Sequence, residues 1–376
     1  MCKYRQYGVF MEFLKISNLD VVTVPHCGGR EFFINSQGYS DSDQADILKQ
    51  ISNFLKTNQA SSISCRVAIP KERQIQVAHA LKNELPELIC PITWFTQSPG
   101  DKCPTFVVQL HALSGSPIEV IPNGNSPTGC IFEDNHVRYY QLHLFPDNKQ
   151  TDNQTQTYSV FQKMDTVLHS CGLDFHSTAR TWLYAHDILS WYDKLNRARD
   201  RFFTEKGVFK HRIPASTGVS LSNPLDYAIQ TELLAAVPKK GSVQIRPVES
   251  PLQCPATQYR SSFSRAMEIV TPQQKRLYIS GTASIDPHGK TIFLDNTPGQ
   301  IDHTMNVVKA ILQHVDMEWR DTVRAIAYFK SRKDYPLFDQ WLQMHKIPLP
   351  HIKLECDICR NDLLFELELD AIQTYQ

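Results

Sequence analysis

Between residues 41 and 55, apolar side chains fall at Ala45, Ile47, Leu48, Ile51, Phe54 and Leu55, the three-and-four spacing of one helix face. Residues 75–85 predict a second helix, and 67–69, 106–110 and 137–145 read as strands. The first forty residues carry little periodicity, and 146–157 is a polar loop rich in Asp, Asn, Gln and Thr.

Beyond that loop the chain repeats itself. A gapless shift of 144 residues sets Val167-Leu168 on Ile311-Leu312, Leu173 on Met317, Phe175 on Trp319, Thr178 and Arg180 on Thr322 and Arg324, and Tyr184 on Tyr328. Each copy predicts a helix (158–171; 301–315), then a strand (179–184; 322–329). A second helix follows, capped by Asp187 or Asp334, and closing strands end the copy (215–219 and 225–234; 351–358 and 363–369). Residues 263–270 and 277–283 open the second copy as paired strands. The expected fold is α+β: two fused halves, 1–240 and 241–376, each a mixed sheet with two helices on one face. Residues 238–255 are the expected linker, and the interface of the halves is the natural place for a ligand.

Composition narrows the function. With 376 residues, 41% of them hydrophobic, the chain can bury one large or two ordinary cores. Lys plus Arg and Asp plus Glu number 39 each, so no global field favours nucleic acid or an anionic membrane, and an anion site must be local. Apolar runs such as 325–329 are far shorter than the roughly 20 residues of a membrane span. Residues 1–7 are basic, but 9–14 are interrupted by Glu12 and lack a cleavage pattern, so no export is expected and Met11 offers an alternative start. Ten scattered cysteines suit reduced thiols in a cytoplasm. The single C-x-x-C, Cys356 to Cys359, lacks the partner pair a structural zinc site needs, so no metal and no cofactor are expected.

In the second half, Ile279-Ser-Gly-Thr-Ala283, Asp286-Pro-His-Gly289, Gln300, Asn306 and Glu366-Leu-Glu368 resemble the YjgF/RidA family. Deaminases of that family hold the substrate carboxylate with an arginine just after a proline; here His351 follows Pro350. Over residues 158–371, six blocks are similar to the chorismatases: Ala179-Arg-Thr-Trp-Leu-Tyr184, Asp187-Ile-Leu-Ser-Trp-Tyr192, Asn196-Arg-Ala-Arg199, Ile213-Pro-Ala-Ser-Thr-Gly218, Ser264-Arg-Ala-Met-Glu-Ile269 and Cys359-Arg-Asn-Asp-Leu-Leu-Phe-Glu366. The resemblance implies two RidA-like halves and cleavage of chorismate to pyruvate and a ring carboxylic acid. It assigns proton donation to Glu366, and Cys359 resembles the branch that makes 3-hydroxybenzoate rather than the hydrolase branch that makes a dihydroxycyclohexadiene carboxylate. The substrate is then a small molecule, and the chain a monomer or low-order homo-oligomer. An imine deaminase or a noncatalytic ligand-binding protein are the other readings.

The residue types fit such chemistry. Two carboxylates need two clamps, and guanidinium forks suit them. Arg180, Arg197, Arg201 and Arg265 are the candidates, with Arg199 beside them, although one helix cannot aim residues 197, 199 and 201 at one point. Arg180 serves either as a ligand or in a structural salt bridge. Tyr184, Ser216 and Thr217 join the substrate-binding set. An enol ether breaks when a carbon is protonated, which calls for a carboxylic acid kept neutral by burial. Glu366 and Glu368 share one strand face, with Glu368 expected to be a surface or structural carboxylate. Cys359, seven before Glu366, reaches the same ligand only if residues 360–362 make a turn or bulge.

Overall fold

The computed structural model describes residues 11–98, 104–124, 126–239, 241–259 and 261–375; the basic stretch 1–7, Cys2 and Cys103 lie outside them. A first unit runs β1 (Glu12–Ile16), β2 (Leu19–His26), β3 (Gly29–Gly38), α1 (Asp41–Thr57), β4 (Ala60–Ile69), α2 (Gln74–Glu84), β5 (Ile92–Thr96) and β6 (Phe106–Ser114). A second runs β7 (Glu119–Asn123), β8 (Ser126–Glu133), β9 (Val137–Leu144), α3 (Asn153–Ser170), β10 (Thr178–Ala185), α4 (Tyr192–Glu205), β11 (Ala215–Val219) and β12 (Ile229–Pro238). The third runs β13 (Gln244–Val248), β14 (Ala266–Val270), β15 (Gln274–Ala283), α5 (Thr297–His314), β16 (Thr322–Phe329), α6 (Tyr335–His345), β17 (His351–Glu355) and β18 (Phe365–Thr374).

The three sheets share one plan. Their orders are β1-β2-β3-β6-β4-β5, β7-β8-β9-β12-β10-β11 and β13-β14-β15-β18-β16-β17. In each, the fourth and fifth strands in chain order (β4 with β5, β10 with β11, β16 with β17) pair in parallel, joined by the second helix as a parallel crossover requires. The α+β class and the two-helix layer stand, but the units number three where two halves were expected. The first unit escaped because its offset from the second drifts: 112 residues separate the starts of α1 and α3, and 118 those of α2 and α4. Between the second and third units, α3 and α5, and β10 and β16, keep one offset of 144. The expected linker also shrinks, since Gln244–Val248 pairs with β14 as the edge of the third sheet. Asp187 does not cap α4; it precedes a single 3-10 turn at Ile188–Ser190, and the helix starts at Tyr192.

Each helix pair covers its own sheet. In the third unit, Met305, Val308, Ile311 and Phe338 pack on Leu277, Ala325, Leu367 and Leu369. The opposite faces of all three sheets meet in one central core, where Val107, Trp182, Tyr184, Ile269 and Tyr328 are buried together. No helix among the described residues is long and apolar enough to cross a membrane.

Candidate active site

Alternation along β18 decides what each acid meets. Phe365, Leu367, Leu369 and Ala371 face the helices, so Glu366, Glu368 and Asp370 face the central core. There Glu368 accepts from Arg180 at 3.1 Å, Arg324 at 3.4 Å and Trp182 Nε1 at 3.0 Å. Burial alone pushes its pKa up; the guanidinium groups of Arg180, Arg324 and Arg66 outweigh that and hold it below the usual carboxylate range. Arg324 also grips Asp370 at 2.6 Å, and Arg66 makes a fork with Glu232 at 2.9 and 2.6 Å.

Two residues along, Glu366 has the opposite fate. Burial pushes its pKa up, the charge on Glu368 adds to the rise, and Arg180 and Arg265 offset only part of it, leaving it at about 8. At neutral pH this carboxyl is a neutral acid, the state from which a proton can be given.

Its niche is made by a bulge. On the ladder to β18, Ile279 opposes Leu369 and Thr282 opposes Leu367, so β15 holds one extra residue at Ser280–Gly281. A Cβ at Gly281 would collide with Glu366 Oε1. The bulge is stitched to the second unit: Gly281 N donates to Thr217 Oγ1 at 2.9 Å, and Ser216 N to Ser280 Oγ at 2.9 Å.

In front of Glu366 lies a cavity of about 240 Å³ between α4 of the second unit and the third sheet. Arg265 and Arg360 bring positive charge to it, anchored by Cys254 O at 2.8 Å and Gly289 O at 2.7 Å. Cys359 reaches the wall because the strand ends at Glu355 and a turn closed by Leu363 N to Arg360 O, 3.2 Å, reverses the chain. Burial pushes the Cys359 thiol up to about 12, Glu366 adds to the rise, and the Tyr192 hydroxyl partly opposes it. The thiol is therefore protonated at neutral pH, which makes it a weak donor and space-filler, not a thiolate nucleophile.

The structure thus gathers Glu366, Cys359 and Arg265 from the sequence candidates and sets the other six outside the cavity lining. Arg180 is wholly buried behind them, bonded to Glu368 and to Thr217 Oγ1 at 2.8 Å, which is the salt-bridge alternative. Tyr184 is buried against Phe95 at 4.7 Å, and Ser216 and Thr217 are spent on strand contacts. Arg197 is exposed, and Arg201 is exposed too, paired with Glu205 at 2.8 Å and stacked over Tyr158 at 4.1 Å.

Comparison with solved structures gives a chorismatase solved at 1.08 Å, with a TM-score of 0.59, 17% identity, and 83% of this chain and 93% of that chain covered. The likeness shows the fold. About a third of the chain is covered by yeast Mmf1 (TM-score 0.30, 19% identity, 35% of this chain, 99% of that one) and by the YjgF gene product of E. coli (0.28, 17%, 34% and 98%). No family model matches the chain, and no curated protein matches it by sequence.

Sequence reasoning passed over Tyr192, Asn196, Phe263, Gly281 and Arg360, all of which line the cavity. Arg360 carried a signal, since it adjoins Cys359 in the turn that had to exist. Gly281 carried one only through the bulge, which no residue pattern announces. His351, the residue after Pro350, packs on Phe338 at 5.2 Å and borders a different groove, between α6 and β1–β2.

Proposed function

We propose that the chain is a chorismatase, cleaving chorismate to pyruvate and a ring carboxylic acid. The observation that carries this reading is Glu366: a carboxyl kept neutral at the base of a cavity that also holds two arginines. Arg265 and Arg360 bring positive charge to the wall that the two substrate carboxylates meet. Glu366 gives its proton to the terminal methylene carbon of the enol ether, and the developing oxocarbenium ion is stabilised by the carboxylate left behind. In the hydrolytic route water adds to that carbon and the hemiketal collapses to pyruvate and the diol. The route to 3-hydroxybenzoate has no net water, because the aromatic acid and pyruvate together hold the atoms of chorismate. Cys359 and Tyr192 fill the wall where water would enter, which favours the aromatic product. Incubation of purified protein with chorismate, followed by assay of pyruvate and chromatography of the ring product, tests the reading. Pyruvate with 3-hydroxybenzoate is the expected result; no pyruvate overturns it.

A further inference from the structure

The junction of the first and second units repeats the geometry of the Glu366 niche with different chemistry. Gln230 faces Tyr184 across β10 and β12 as Glu366 faces Tyr328 across β16 and β18. His143 opposes Glu232 on an unbulged ladder, where the Ser280–Gly281 bulge opposes Glu368. The acid has become an amide and the glycine an imidazole, which removes the proton donor. The cavity has not closed: it measures about 540 Å³ against about 240 Å³ at Glu366, within the range of small-molecule sites.

Aromatic rings form part of its wall. Trp94, His143, Phe145 and Tyr227 line it, with Phe145 5.0 Å from both His143 and Tyr227. Among its described lining residues the charged groups are Lys163 and Asp147, paired with each other at 2.9 Å. The hydrogen bonds of buried Gln230, behind Trp94 and His143 of the wall, fix a tautomer. Gln230 Nε2 donates to the Trp94 carbonyl at 2.6 Å, so Gln230 Oε1 is the acceptor. His143 Nε2, 3.4 Å from that oxygen, then carries the proton. Burial lowers the His143 pKa, so the ring is neutral and Nδ1 is an acceptor.

We infer that this junction is a second, noncatalytic site for an uncharged planar aromatic ligand bearing a hydroxyl or N–H donor, of the phenol class. The ring stacks among Trp94, Phe145 and Tyr227, and its donor meets His143 Nδ1. The inference is independent of the reaction at Glu366.

Phenol, with anisole as the donor-free control, tests it by ligand-observed NMR titration. Phenol binding about tenfold tighter than anisole is expected, the size of one hydrogen bond. His143→Phe, which keeps a ring and removes the acceptor, abolishes that preference. Leu225→Trp fills the mouth from an exposed position and weakens phenol by at least about tenfold while leaving pyruvate release from chorismate unchanged. Equal binding of phenol and anisole, or phenol binding indifferent to Leu225→Trp, overturns the inference.

Discussion

The carboxylate of Glu366 occupies the space a Cβ on residue 281 would need, and Gly281 is the residue whose backbone N–H is held at 2.9 Å by Thr217 of the neighbouring unit. Gly281→Ala therefore moves the acid without touching it chemically. Turnover of chorismate should fall by about 10²-fold, as expected for a misplaced catalytic group. Steady-state kinetics on the folded variant check this; parental kcat would show that the acid tolerates displacement.

Burial of Glu366 also has a thermodynamic sign. Its folded pKa, about 8, lies above the ordinary 4.5, so the folded state binds more protons than the unfolded state between those values. The stability it contributes is fully present below the lower value and lost as pH rises through the upper one. Glu366→Gln cannot ionise, so above about pH 8 it should melt a few degrees higher than the parent, with the gap closing towards about pH 5. Thermal melts across pH measure it; a gap independent of pH would contradict the raised pKa.

The ion pair of Arg180 with Glu368 predicts a structural role for this charge. Its guanidinium is buried against Glu368, so Arg180→Met removes one of the charges that hold that carboxylate and leaves it with Arg324, Trp182, Thr217 and the more distant charge of Arg66. A loss of about 3 kcal/mol in unfolding free energy is expected, the usual result of breaking a buried pair by removing one partner. Denaturant unfolding checks it. Full stability with a raised KM would return Arg180 to the substrate.

Much of this was legible in the residues. Period-two alternation in residues 363–369 put Glu366 and Glu368 on one face, and the polar 360–362 stretch foretold the turn that brings Cys359 back to the site. Their different fates were not legible, because Arg180 and Arg324 reach Glu368 from distant strands. Which side of α4 meets the cavity was not legible either: Arg197 and Arg201 are exposed, while Asn196 of the same helix lines the cavity. The first unit stayed hidden because insertions spoil a gapless shift, although its strand order is the same.

Cys359 should govern product partition, not rate. Cys359→Ala removes volume beside Glu366 and admits water, so the dihydroxycyclohexadiene carboxylate should rise at the expense of 3-hydroxybenzoate while pyruvate release stays within about threefold of the parent, since the acid is untouched. Chromatography of the ring products decides. Undiminished aromatic product would leave Cys359 a packing residue.

The most direct measurement is the initial rate of pyruvate release from chorismate between about pH 6 and 10, for the parent and for Glu366→Gln. The parent rate should hold steady below about 8 and then fall about tenfold per pH unit as Glu366 loses its proton, and the variant should release almost none at any pH. Pyruvate released by Glu366→Gln at the parental rate, or none released by the parent, would contradict the assignment of Glu366 as the acid that opens chorismate.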